Sequence, residues 1–188
     1  MAFMHRTTMT PTKLELLAEW LPKRPWYLGA AAPRLVKAGG FRLDDPEGEV
    51  GIEFMVVADT AAPEPVAYLA PMGYRGATLE GMPEESLIGV SEHGVLGPRW
   101  LYDGERDPVV AAQLRALMRG KAEPQHQSES HTPDPTVTVR GSSGEGEVRI
   151  NRVLRPLAAG ETPEGLIAGW TWPDGTPVQG VFATVAPR

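Results

Sequence analysis

Cysteine is absent from the 188 residues. Its absence excludes disulfides, thiolate metal sites, iron–sulfur clusters and cysteine nucleophiles. Long apolar runs are missing too, and none approaches the roughly 18 residues of a membrane span. After Met1 a signal-peptide core is interrupted by His5, Arg6 and the following threonines. These absences read as a cytoplasmic protein with no membrane partner. Lysine is scarce, 4 against 14 arginines, a bias read as G+C-rich bacterial coding rather than as a recognition device. No basic cluster occurs in a chain of net charge −6. Nucleic acid is therefore set aside as a partner, because phosphate binding needs a concentrated positive face.

Hydrophobic residues make up 41% of the chain, enough to build a core. There are 21 glycines and 19 prolines, which favour many short strands and turns over a long-helix bundle. The charge is uneven. Residues 1–40 carry six bases against two acids, residues 41–105 three against thirteen, and residues 106–188 nine of each.

Four segments are expected: a flexible arm over 1–11, an α+β subdomain over 12–120, a polar connector over 121–135, and a strand-rich C-terminal subdomain over 136–188 packed on the first. Thr12-Lys13-Leu14-Glu15 has capping-box spacing, and Leu14, Leu17, Ala18 and Leu21 form one apolar stripe ending at Pro22. Strands are expected over 35–43, bent at Gly39-Gly40, then over 50–59 and from Val66 through Met72. Residues 86–92 and 98–103 read as a hairpin around His93-Gly94. Asp107-Pro108 opens a second helix, which Gly120 ends. Four further strands are expected at 136–140, 148–154, 166–172 and 178–185, the last two joined by a turn at Pro173-Asp174-Gly175-Thr176.

Catalytic motifs are few. Gly141-Ser142-Ser143-Gly144-Glu145-Gly146 is glycine-rich but lacks a strand–helix frame and a following Lys, so it reads as a loop. Gly89-Val90-Ser91-Glu92-His93 approaches a nucleophile elbow, with His93 where the elbow needs glycine. Ser91, His93 and Asp103 are the residues of a conceivable hydrolytic triad. His126 and His131 are five apart, off helical ligand spacing, and the acidic run 44–49 lacks calcium-loop spacing. No metal or cofactor is expected. Trp170 and Trp172 share one strand face by alternation, as core or as a sugar-binding platform. Arg24, Trp26 and Tyr27 gather aromatic and basic character at the end of the first helix, a candidate interaction surface.

Several segments in order carry a family resemblance. They are Trp20-Leu21-Pro22-Lys23-Arg24-Pro25-Trp26-Tyr27, then Ala67 through Arg75, Ser86-Leu87-Ile88-Gly89, Trp100-Leu101-Tyr102-Asp103-Gly104, and Asp107-Pro108-Val109 leading a helix. Together they resemble the N-terminal cap domain of bacterial maltokinases, over roughly residues 12–120. The chain departs from the family where Pro25 precedes Trp26 and where Gly29-Ala30-Ala31-Ala32-Pro33 replaces a basic stretch. The resemblance implies an α+β fold, helices packed on a curved antiparallel sheet of the cystatin/monellin-like kind, with a C-terminal antiparallel strand extension. Neither a His-x-Asp catalytic loop nor an Asp-Phe-Gly-like metal motif occurs, and phosphoryl transfer needs both functions. The expected protein is thus a non-catalytic, freestanding cap. It would regulate or contact a protein partner, a kinase or another enzyme of its pathway, or associate with itself. Two other functions stay open: a sugar or phosphosugar binding module, and a hydrolase.

Overall fold

Antiparallel pairing organises the chain. The computed structural model describes residues 8–29, 32–141 and 146–186. In order the elements are β1 (Met9–Thr10), α1 (Lys13–Trp20), β2 (Leu35–Leu43), β3 (Gly51–Asp59), β4 (Val66–Arg75), β5 (Leu87–His93), β6 (Gly97–Asp103), α2 (Pro108–Met118), β7 (Gln125–His126), β8 (Thr138–Arg140), β9 (Glu147–Ile150), β10 (Val153–Leu154), β11 (Gly165–Thr171) and β12 (Pro177–Ala186). Short 3-10 turns occupy Leu21–Lys23 and Glu84–Ser86. All the strands belong to one sheet, in the order β1-β5-β6-β4-β3-β2-β11-β12-β9, with β10 on β4, β7 on β2 and β8 on β11.

This corrects the expected α+β class. Among the described residues there are twelve strands and only two α-helices, of eight and eleven residues, so the protein is a predominantly antiparallel β structure. The physical reason is the turn chemistry. Pro22 stops α1 after two turns, Gly120 stops α2 after three, and the segments between are too short and too rich in Gly and Pro to add helix. The helices are local covers, not a layer.

Both helix starts follow from their caps. Thr12 Oγ1 accepts from the Glu15 amide at 3.3 Å, and Glu15 Oε2 accepts from the Thr12 amide at 2.7 Å. The Asp107 carboxylate accepts from the amides of Val109 and Val110, with Pro108 at the first helical position. β2 bends where expected, its register slipping between Lys37 and Gly39. Gly40 has φ +132, and a Cβ there would collide with the Phe54 carbonyl.

The strand expected over 148–154 is divided. β9 ends at Ile150 and pairs with β12, whereas β10 crosses to β4, placing Val153 opposite Tyr68. The segment read as a connector is tied in as well: β7 pairs with β2 at Phe41 and Arg42. Of the segment read as an arm, β1 pairs with the end of β5; residues 1–7 lie outside the described residues, as do 142–145 of the glycine-rich loop.

The sheet buries both faces. On one, α1 contributes Leu16, Leu17 and Trp20, and the following turn Leu21, against Met55, Val57, Tyr68, Ala70, Met72, Ile88 and Leu101. On the other, α2 packs Val110, Leu114, Leu117 and Met118 against Phe41, Phe54, Val56 and Leu69, with Leu154, Leu166, Trp170 and Phe182 from the C-terminal strands in the same cluster. Each fully buried large apolar side chain contributes about 1.5–3 kcal/mol. No described helix is long and apolar enough to cross a membrane.

Candidate functional site

The α1 face of the sheet is only partly covered. A helix of eight residues is about 12 Å long, whereas β3 and β4, of nine and ten residues, run about 30 Å. Beyond the helix N-terminus the face opens into a cleft of about 1000 Å3. Alternation decides what lines it. Directly paired residues of antiparallel strands share a face, and Arg42 pairs with Glu53, Gly51 with Tyr74, and Tyr74 with Leu101. Arg99, two residues before Leu101, falls on the same face.

Glu53 is the centre of the cleft. It stands within β3, whose other acid, Asp59, is at the strand's end, and it is only 4% exposed. Its Oε2 accepts from Lys13 Nζ at 2.8 Å and from the Tyr74 hydroxyl, and its Oε1 accepts from Gln127 Nε2 at 2.8 Å. Burial alone would raise the Glu53 carboxyl. Lys13, Tyr74 and Gln127 outweigh it and hold the group below the usual carboxylate range. Burial and the adjacent carboxylate push the Tyr74 phenol well above its ordinary value. The cluster draws on α1, β3, β4 and the residue following β7. An ionised carboxylate with its donors in place can orient hydroxyl groups of a ligand without rearranging.

Glu53, Lys13, Tyr74 and Gln127 were missed in the sequence. The available signal was parity: Glu53 shares a face with Met55 and Val57, so an acid stands in a core row of β3. Asp45, in the acidic turn, accepts from the amides of Glu47, Glu49 and Val50 and fixes that turn.

The binding and interaction residues proposed from sequence lie elsewhere, whereas His93 of the conceivable triad lines the cleft. Trp170 is in the core, 3% exposed, and Trp172 is half-buried beside it, edge to face with centroids 5.8 Å apart. Trp170 Nε1 is buried without a hydrogen-bond partner. A shallower hollow of about 720 Å3 near β2 and β11 is lined by Trp170, His126, Thr136 and Arg140 among others. Arg24 stacks 4.7 Å over Trp20 and donates to the Glu85 carbonyl. Trp26 packs against Trp20 and Tyr68, with the Arg152 guanidinium 5.0 Å from its ring centroid. Tyr27 donates its hydroxyl to Asp59 Oδ2 at 2.8 Å. The structure gathers these three around the helix end, largely engaged within the fold.

Ser91, His93 and Asp103 are not assembled. Ser91 Oγ donates to the Pro11 carbonyl at 2.7 Å, and Asp103 grips Arg152. His93 pairs with Gly97, six residues from Asp103 along β6, about 20 Å away. His93 Nδ1 accepts from the Val95 and Leu96 amides in the turn. Among the described residues no group of three His, Asp or Glu is placed to hold a metal ion.

Fold and cleft together define a β-rich domain with a preformed polar recess. Residues 20–107 match the model of the maltokinase N-terminal cap domain, so this segment is similar to that family. No curated protein matches the chain.

Proposed function

We propose that the chain is a non-catalytic cap-type module whose cleft binds a small hydroxyl-rich molecule of the sugar class. The observation that carries this reading is the convergence of Lys13, Glu53, Tyr74 and Gln127 in a concave recess of ligand-sized volume. Carboxylate, phenol, amide and ammonium side chains are the groups that pair with sugar hydroxyls, as acceptors and donors held at fixed positions. The matched family is named for a kinase of maltose, which makes a glucose disaccharide the first ligand to try. Titration of the isotopically labelled chain with maltose should give saturable amide shifts at Lys13, Glu53, Tyr74 and Gln127, weakened in Glu53→Gln. Spectra unchanged by maltose, glucose and trehalose would reject the reading.

One feature favours a second reading, contact with a partner enzyme. Val90, Val95 and Leu96, on the β5–β6 hairpin, are 41%, 62% and 44% exposed, and Leu96 lies at the cleft. Exposed apolar side chains at a polar rim mark protein contacts when they are contiguous. Val95→Asp with Leu96→Asp should then abolish co-purification with that enzyme, or self-association in sedimentation, and leave the maltose titration intact.

A further inference from the structure

We infer that the ligand of this cleft is a phosphorylated sugar, and that Arg99 and Arg42 receive its phosphate; the inference rests on the binding reading above. It begins from the charge distribution. Residues 41–105 hold thirteen acids and only three bases, Arg42, Arg75 and Arg99, and all three bases line the cleft, joined there by Lys13. A strongly acidic segment that gathers its few cations at one recess concentrates positive charge against its own long-range field.

The cations are not equivalent. Lys13 is paired with Glu53. Arg75 is held by both oxygens of Asp107, at 2.7 and 2.8 Å. Arg42 and Arg99 have no carboxylate partner among the described ion pairs. Their hydrogen bonds end on carbonyl oxygens: Arg42 on His126 and Glu129, Arg99 on Pro98. Such bonds orient a guanidinium and leave its charge uncompensated. The planar fork of donors matches a phosphate in two-bond geometry.

The carboxylates of the cleft do not oppose this. Glu53 is compensated by Lys13, and Asp45 by three backbone amides. Glu49 is exposed, where water and salt screen it. Gly76 leaves room for the cation, since a Cβ there would come within 2.9 Å of Arg99 Nη1. The recess therefore has two ends: a compensated Glu53–Tyr74 end suited to hydroxyl groups, and an arginine end suited to a phosphate.

Calorimetric titration of the full chain with glucose, glucose 6-phosphate and inorganic phosphate tests this directly. Glucose 6-phosphate should bind at least about tenfold more tightly than glucose, the scale of one charge-assisted contact. Arg99→Gln and Arg42→Gln should each reduce that ratio, and Arg99→Gln should leave glucose binding in place. Ala77→Asp, an exposed cleft position, should abolish phosphate dependence without touching either arginine. Equal binding of glucose and glucose 6-phosphate would overturn the phosphate inference and leave the sugar reading standing. A ratio unchanged in both arginine variants would overturn their assignment. Absence of binding by all three probes would overturn the inference together with the sugar reading.

Discussion

Arg152 and Asp103 meet in a buried ion pair, one guanidinium nitrogen lying 2.6 and 2.7 Å from the two carboxylate oxygens. The contact joins the segment between β9 and β10 to the end of β6, and so ties the C-terminal strands to the family-matched segment. Glu105 adds a second carboxylate at 2.7 Å, and the Trp26 ring covers the cation. Asp103→Asn should destabilise the protein, by less than the about 3–5 kcal/mol of a fully broken buried pair, because Glu105 still faces the guanidinium, whose Nε and Nη1 have no partner among the described residues. Urea unfolding measures the loss. The double variant Asp103→Leu with Arg152→Met should recover much of it.

Asp107 carries more than a helix cap. Its side chain is fully buried, it accepts from two amides of α2, and it holds Arg75 through two bonds. A cap alone is worth about 0.5–2 kcal/mol. Asp107→Ala should exceed that range and approach the 3–5 kcal/mol typical of a broken buried pair, or about 3 at the least. An Arg75→Met background should bring the cost back towards that of the cap, and thermal unfolding of the four proteins closes the cycle.

Stability should fall at both ends of the pH scale for reasons located in the cleft. The Glu53 carboxyl lies lower in the folded protein than its ordinary 4.5, so its contribution is present above that pH and is lost as pH falls through the folded value. The Tyr74 phenol lies higher than its ordinary 10.0, so the folded state resists ionisation, and stability is lost as pH rises beyond that value. Tyr27, raised by burial and by Asp59, acts in the same direction. Denaturation midpoints against pH should show a flatter acid limb in Glu53→Gln, and a flatter alkaline limb in Tyr74→Phe and Tyr27→Phe.

Trp170 should behave as core. Its replacement by Ala should cost about 3–5 kcal/mol, because a large cavity opens beside Phe182 and Phe41. Trp172→Ala, at a half-buried position, should cost less. A chain cut after Gly120 loses Leu154, Leu166, Ala168, Trp170 and Phe182 from the larger core cluster. It should show no sharp melting transition in calorimetry; a cooperative transition in that piece would make the C-terminal strands a separate unit.

Local chemistry was legible in the residues. The Thr12–Glu15 box, the Asp107-Pro108 start, the Gly39-Gly40 bend and the alternation of β3 each involve neighbours along the chain. The family match over 20–107 was legible too, because its motifs occur in order. The fold class was not. The resemblance implied a helical layer, whereas β7, β8 and β10, of two or three residues each, exist only because another strand offers them a ladder. The split of 148–154 at Asn151 is of the same kind: the Asn151 amide bonds the Phe182 carbonyl, and the next residue turns towards Asp103.

By itself, the sequence determined where helices start and stop, which positions alternate, and which chemistries a chain without cysteine does not have. Those properties depend on capping, backbone propensity and composition, which act within a few residues. Only the tertiary structure decided that Lys13, Glu53, Tyr74 and Gln127 share one recess, that Arg42 and Arg99 beside it have no carboxylate partner among the described residues, and that Trp170 is core. Lys13 and Gln127 stand 40 and 74 residues from Glu53. Strand order and register bring them together, and an isolated residue carries no record of the strand that will lie across from it.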